Sequence, residues 1–348
     1  MKSRNSLAAV LLGLLSVGAV QAQDDTIHLK VAGNLLATGL IQQEKEQPFF
    51  ESLAETSGLP ISVDYKPMDV TGIKDAEGLR VLKAGLFDIV SLRFAQVSRD
   101  EPMILGLDLV GLNPDYATGR KVVAAFEDKL DEQLQKKFNA KLLGIWPFGP
   151  QVLFCEPEIS GLADIAGKKV RVYDQNLAMF VESVGGTPVP LGFGEVQQAL
   201  GRGVVDCAIT GPSSANSAGW PEVTEYFMPI GFQLAFNGFG INLDTWNKFT
   251  PEQQETFQTT FDTLIEDIWV YSEELFDDAV RCNVGEEPCT TVSQYDMQRV
   301  PVTEEDIALV QNAVKEISYP TWAEVCDNSS PGCSETWKAS IGPLVGLE

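Results

Sequence analysis

Between Ile27 and Trp146 the sequence switches repeatedly between two periodicities, and this alternation restricts the available folds more than any other feature. IHLKVAG (27–33) reads as a strand, the stretch from Gln42 to Thr56 as a helix closed by Gly58, and LPISVDYK (59–66) as an alternating strand. A helix near 75–84, the buried run FDIVSL (87–92), a helix over 116–135 and the strand AKLLGIW (140–146) follow. Strands separated by helices predict a mostly parallel sheet covered by helices. The pattern then restarts. QVLFC (151–155), KKVRVY (168–173), a helix over 177–184, TPVPL (187–191), a helix over 195–200 and VVDCAIT (204–210) form a second α/β unit. Two such units within 348 residues predict two lobes with a cleft between them.

After the strand-like FNGFGINLD (236–244), Pro251 opens a helical pattern running to about Val280. Phe257, Phe261, Leu264, Ile265, Ile268 and Trp269 recur at three- and four-residue spacing, one apolar stripe. Roughly 30 residues at about 1.5 Å each reach about 45 Å, longer than one lobe is wide. The expectation is a strut that touches both lobes. The first lobe is expected to comprise 23–146 with about 233–262, and the second 147–232 with about 263–348. One further helix is expected from Thr303 to Ile317.

MKSRNSLAAVLLGLLSVGAVQAQ has the basic start, apolar centre and small-residue end of a secretory leader, with cleavage expected after Ala22. Without Lys2 and Arg4, 23 basic residues face 49 acidic ones. A field of that sign repels nucleic acid and anionic membranes, and any anion site must rest on concentrated local positive charge. Of six cysteines, Cys282 with Cys289 and Cys326 with Cys333 bracket short turn-rich intervals, each of which could close as a disulfide in an oxidising compartment, with free thiols or a crosswise pairing of the four as the alternative. Cys155 and Cys207 lie in apolar strand-like runs and are expected to be buried, paired or not.

Hydrolytic and metal chemistry find little support. ANSAG (215–219) has Ala215 where a nucleophile elbow requires glycine, and the only histidine, His28, opens the first strand. No carboxylate cluster has calcium-loop spacing, and no dinucleotide or phosphate loop motif is present, so no cofactor or metal is expected. GKKVRVYDQN (167–176) is more informative. If KKVRVY is a strand, Arg171 faces away from Val170 and Val172, toward solvent or the ligand edge of the sheet. A helix start follows at Gln175 to Leu177, and a guanidinium fork beside a helix N-terminus suits a carboxylate. Both readings, solvated strand arginine and anion anchor, stand on these residues alone.

The run from Gly161 to Thr210 resembles the solute-binding proteins of tripartite ATP-independent periplasmic (TRAP) transporters, dicarboxylate-binding type. Its matching elements are G-x-K-[VI]-R at 167–171, G-G-x-P-V-P at 185–190, F-G-E-V-x-x-A-L at 193–200 and G-V-V-D at 203–206. The resemblance implies a two-lobed periplasmic binding protein fold that captures a small organic acid for integral-membrane permease subunits, with no catalysis. It implies that Arg171 pairs with the ligand carboxylate. The sequence departs from the family at Thr210, where many members have asparagine, and offers Phe148 and Gln151 but no arginine near 149–152. A sensor input presenting the same ligand to a membrane signalling protein is the alternative. Ligands in α/β lobes sit beyond strand C-termini. Those ends offer Asn34, Arg93 and Phe94 in the first lobe, and Phe148, Gln151, Arg171, Thr210 and Trp220 in the second. Phe236 and Asn237 are expected near the crossing. One arginine among aromatic residues fits a monocarboxylate with an apolar or ring-shaped body.

Overall fold

The computed structural model describes residues 26–36 and 39–347. The expected leader at 1–22 lies outside the described residues. The strands are β1 (Ile27–Gly33), β2 (Ile61–Pro67), β3 (Ile89–Arg93), β4 (Ala140–Pro147), β5 (Val152–Cys155) and β6 (Lys169–Val172). They continue with β7 (Thr187–Pro190), β8 (Cys207–Thr210), β9 (Tyr226–Met228), β10 (Phe236–Asn242) and β11 (Gln298–Arg299). One sheet has the order β2-β1-β3-β10-β4 and the other β11-β9-β5-β8-β6-β7.

In the first sheet β1 runs parallel to β2 and β3, as the strand and helix alternation predicts. β10 then returns from the second sheet and enters antiparallel between β3 and β4, setting Asn237 opposite both Arg93 and Trp146. Every residue of β10 is buried, because a central strand is covered on both faces. In the second sheet β6 is parallel to β7 and β8, while β5 is antiparallel to β8 and β9. The β5–β8 register places Cys155 against Cys207, and the two form a disulfide. Cys282–Cys289 and Cys326–Cys333 close the two short loops expected from their spacing.

Two segments, 148–151 and 232–235, join the sheets side by side. Gly149 N–H donates to Leu234 O at 3.0 Å, Gln151 N–H to Gln233 O at 2.8 Å, and Phe232 N–H to Gln151 O at 3.0 Å. The long helix Pro251–Asn283 is the third connection, 33 residues and about 50 Å long. Thr250 and Gln253 cap its start reciprocally. Its apolar stripe joins the first core as far as Leu275, whereas Val280 packs in the second lobe. The strut therefore changes lobes later than the expected boundary near residue 262. The tail departs from expectation too. Val310 and Ala313 pack in the second lobe, but Trp322 and Trp337 belong to the first core. Their indole N–H groups donate to Pro102 O at 2.8 Å and Gly106 O at 2.6 Å. A buried indole needs an acceptor, and the turn Pro102–Leu107 supplies two carbonyls.

Candidate functional site

Arg171 lies near the C-terminal end of β6, paired with Val189 and Ala208 on its flanks. It is 2% exposed, which removes the solvated-arginine reading. Its Nε donates to Leu191 O at 3.1 Å and its Nη1 to Ile209 O at 2.9 Å. The guanidinium carbon sits 5.5 Å from the Tyr173 ring centre and 5.7 Å from that of Trp220. These contacts fix the fork between two aromatic faces. Among the described residues no carboxylate forms an ion pair with it. Burial first, and then neighbouring Arg93, lower its pKa to about 10 against the pull of Tyr173 and Asp174. The group stays charged at neutral pH in a place where charge is costly.

The side chain faces a small cavity between the sheets, about 40 Å³ in volume, also walled by Arg93, Phe94, Phe148, Gln151, Thr210, Phe236 and Asn237. Eight residues named from strand ends thus surround one space. Tyr173, Phe193, Ser214 and Gln96, with Ala95 and Ala235, complete the wall and were not named from sequence. Arg93 reaches in from the end of β3, with Nη1 2.6 Å from Asp75 Oδ2 and its guanidinium carbon 5.9 Å from the Phe148 ring centre. A larger outer cavity of about 690 Å³ shares Ala95, Gln96 and Tyr173 with the inner one. A cavity of 40 Å³ is far below the roughly 300 Å³ at which small-molecule pockets begin.

Two named residues lie outside the inner cavity. Trp220 is fully buried against Phe154 and Phe193, with ring centres 5.9 and 5.7 Å away, so it supports Arg171 from behind. Asn34 turns instead to a polar cluster under the first sheet. Its N–H donates to Glu46 Oε1 at 2.6 Å, and Glu46 also accepts from Tyr65 Oη at 3.1 Å and Ser91 Oγ at 3.2 Å. The helix start after Arg171 is not open either, because Asp174 accepts from Leu177 N–H at 2.8 Å and caps it. Gln233 Nε2 donates to Asp174 at 2.7 Å and to Asp108 at 3.3 Å. Burial, then Asp174, raises the Asp108 pKa to about 7.

Burial raises the Glu46 pKa to about 7 from 4.5 despite its three hydrogen-bond donors. The folded protein thus holds this proton more tightly than the unfolded chain. The stabilisation is complete below about pH 4.5 and is lost as pH rises through about 7. Glu46→Gln is expected to remove up to about 3 kcal/mol of stability loss between pH 5 and pH 8. Denaturant midpoints at both pH values test this, and parallel losses in wild type and variant would contradict it.

Another groove, of about 510 Å³, lies between the end of the long helix and segment 229–231. Its arginines are already engaged, Arg281 with Asp278 and Arg299 with Glu286. Among the described residues no cluster of His, Cys, Asp and Glu is placed to hold a metal. No helix among them is long and apolar enough to cross a membrane.

Known proteins share this fold. A TRAP periplasmic solute binding protein from Desulfovibrio salexigens with bound orotic acid superposes with TM-score 0.77 over 91% of this chain and 99% of its own, at 17% identity. An extracytoplasmic solute receptor of Bordetella pertussis that binds pyroglutamic acid gives 0.76 over 90% and 99%, at 13% identity. The sialic acid-binding periplasmic protein SiaP of Vibrio cholerae is 25% identical over 209 residues, 59% of this chain and 63% of that protein. Matches to the curated relatives span less than two thirds of their length. The family model for bacterial extracellular solute-binding protein, family 7 (DctP), matches residues 34–319. The chain belongs to this family of bacterial extracellular solute-binding proteins.

Proposed function

We propose that the chain is a periplasmic receptor that closes its two lobes on a small organic acid and delivers it to the integral-membrane subunits of a TRAP transporter. One observation carries this reading: Arg171 is a buried guanidinium without an ion-pair partner among the described residues, and it walls the cavity between the lobes. Isolated buried charge is costly, and a ligand carboxylate offsets that cost through charge-assisted hydrogen bonds. Binding and closure are then one event. Parting the lobes admits water and ligand, and closure leaves the carboxylate as partner of the fork.

The ribbon of segments 148–151 and 232–235, the long helix and the tail form the hinge. Thr210, Gln151 and Asn237 supply neutral polar groups beside the anchor, and Phe94, Phe148 and Phe236 supply apolar walls. Relatives of this fold that hold orotic acid and pyroglutamic acid support a carboxylate ligand. The family of extracellular solute-binding proteins supports a non-catalytic role outside the cytoplasm, and the leader-like start of the sequence would direct export there. Mass spectrometry of compounds released by unfolding purified protein tests the reading. An organic acid at about one per chain is expected; a retained compound without a carboxylate would overturn it.

A further inference from the structure

The inner cavity has two guanidinium groups in its wall, but their charges are not equally available. Arg171, from the second lobe, is bonded only to carbonyls and has no carboxylate partner among the described residues. Arg93, from the first lobe, is held 2.6 Å from Asp75, and the side chains are 18% and 21% exposed. The Arg93 charge still reaches Arg171, but its guanidinium is committed to Asp75, so it has less to offer a ligand anion than the unpaired Arg171. Asp174, the other carboxylate near Arg171, walls the outer cavity and accepts from Leu177 N–H and Gln233 Nε2, so its negative charge is committed to those donors and it forms no ion pair with Arg171. The remaining walls are neutral amides, hydroxyls and aromatic rings.

Resting on the carboxylate reading above, we propose that Asp75 sets the charge selectivity of the cavity. By holding Arg93 in an ion pair it leaves one unbalanced cation, so the site takes acids with a single carboxylate and an uncharged, flat or apolar body. A second carboxylate would lose its water among Phe94, Phe148 and Phe236 while Arg93 remains committed to Asp75. Desolvation without a free partner opposes that binding. Asp75 is not part of the inner cavity's wall and acts through Arg93, which makes it a positioning residue for charge.

The test compares the full chain with Asp75→Asn and with the double variant Asp75→Asn/Arg93→Gln. Calorimetry uses pyroglutamate and benzoate as monocarboxylates, and malonate and succinate as dicarboxylates. Wild type is expected to prefer a monocarboxylate. In Asp75→Asn the ratio of dicarboxylate to monocarboxylate affinity is expected to rise at least about tenfold. The double variant should lose that gain, because the freed cation is gone. An unchanged ratio in Asp75→Asn, or a wild type preferring malonate or succinate, would overturn the proposal while leaving carboxylate binding intact. If wild type bound no acid of any kind, the carboxylate reading itself would fall and this proposal with it. Thermal melts showing all three proteins folded exclude a general structural effect.

Discussion

Arg171→Ala is expected to abolish measurable acid binding while the protein stays folded. Removing one member of a buried ion pair costs about 3 to 5 kcal/mol, a loss of a few hundred- to several thousand-fold in affinity. The fold should survive because two effects oppose each other in the unliganded protein. The carbonyls of Leu191 and Ile209 lose a donor, and each unmet acceptor costs about 1 to 3 kcal/mol. Against this, an unpaired buried charge disappears. Arg171→Lys should also bind poorly, since an ammonium cannot reproduce the planar fork held between Tyr173 and Trp220. Calorimetry and thermal melts together check both halves, and an unchanged dissociation constant in Arg171→Ala contradicts the assignment.

The second large effect concerns the hinge. Gly149 has φ +106°, and a β-carbon there would lie 2.5 Å from Tyr116 Oη and 3.3 Å from Ser272 Oγ. Tyr116 Oη donates to Ser272 O at 3.0 Å, so helix Tyr116–Phe138, the long helix and the crossing ribbon converge at this glycine. Gly149→Val combines backbone strain of about 1 to 3 kcal/mol with displacement of a buried hydrogen-bonded hydroxyl worth about 1 to 3 more. A loss of about 3 to 5 kcal/mol in denaturant unfolding is expected. Gly58→Ala is the control. Gly58 has φ +66° with no atom near its missing β-carbon, so only about 1 kcal/mol should be lost. Equal losses at both positions would show that the crossing does not constrain the hinge.

Much of the architecture is legible in sequence because period-two and helical patterns report burial directly. Strand ends follow from those patterns, and residues at the ends of β3, β6 and β8 gather at one cavity for that reason. Periodicity does not report strand direction or partner. The antiparallel entry of β10 between β3 and β4, and the pairing of Cys155 with Cys207 across 52 residues, depend on sheet register. Position at a strand end also leaves orientation undecided. The Asn34 side chain turns to Ser91, and Trp220 turns behind Arg171. Asp174 directly precedes a helix, a cap signal available in the sequence, and it fills the N-terminus that had suggested a second anion contact. Asp75 gave no local signal, since its partner Arg93 lies 18 residues on.

The most direct test uses charge alone as its variable. Wild-type protein stripped of ligand by unfolding and refolding is titrated with organic acids, then with the carboxamide of each acid that binds. The amide keeps shape and size but lacks the charge that Arg171 is proposed to meet. Acids are expected to bind at least about 100-fold more tightly than their amides, equivalent to about 3 kcal/mol. Equal affinity for acid and amide would contradict a site built around a carboxylate at Arg171.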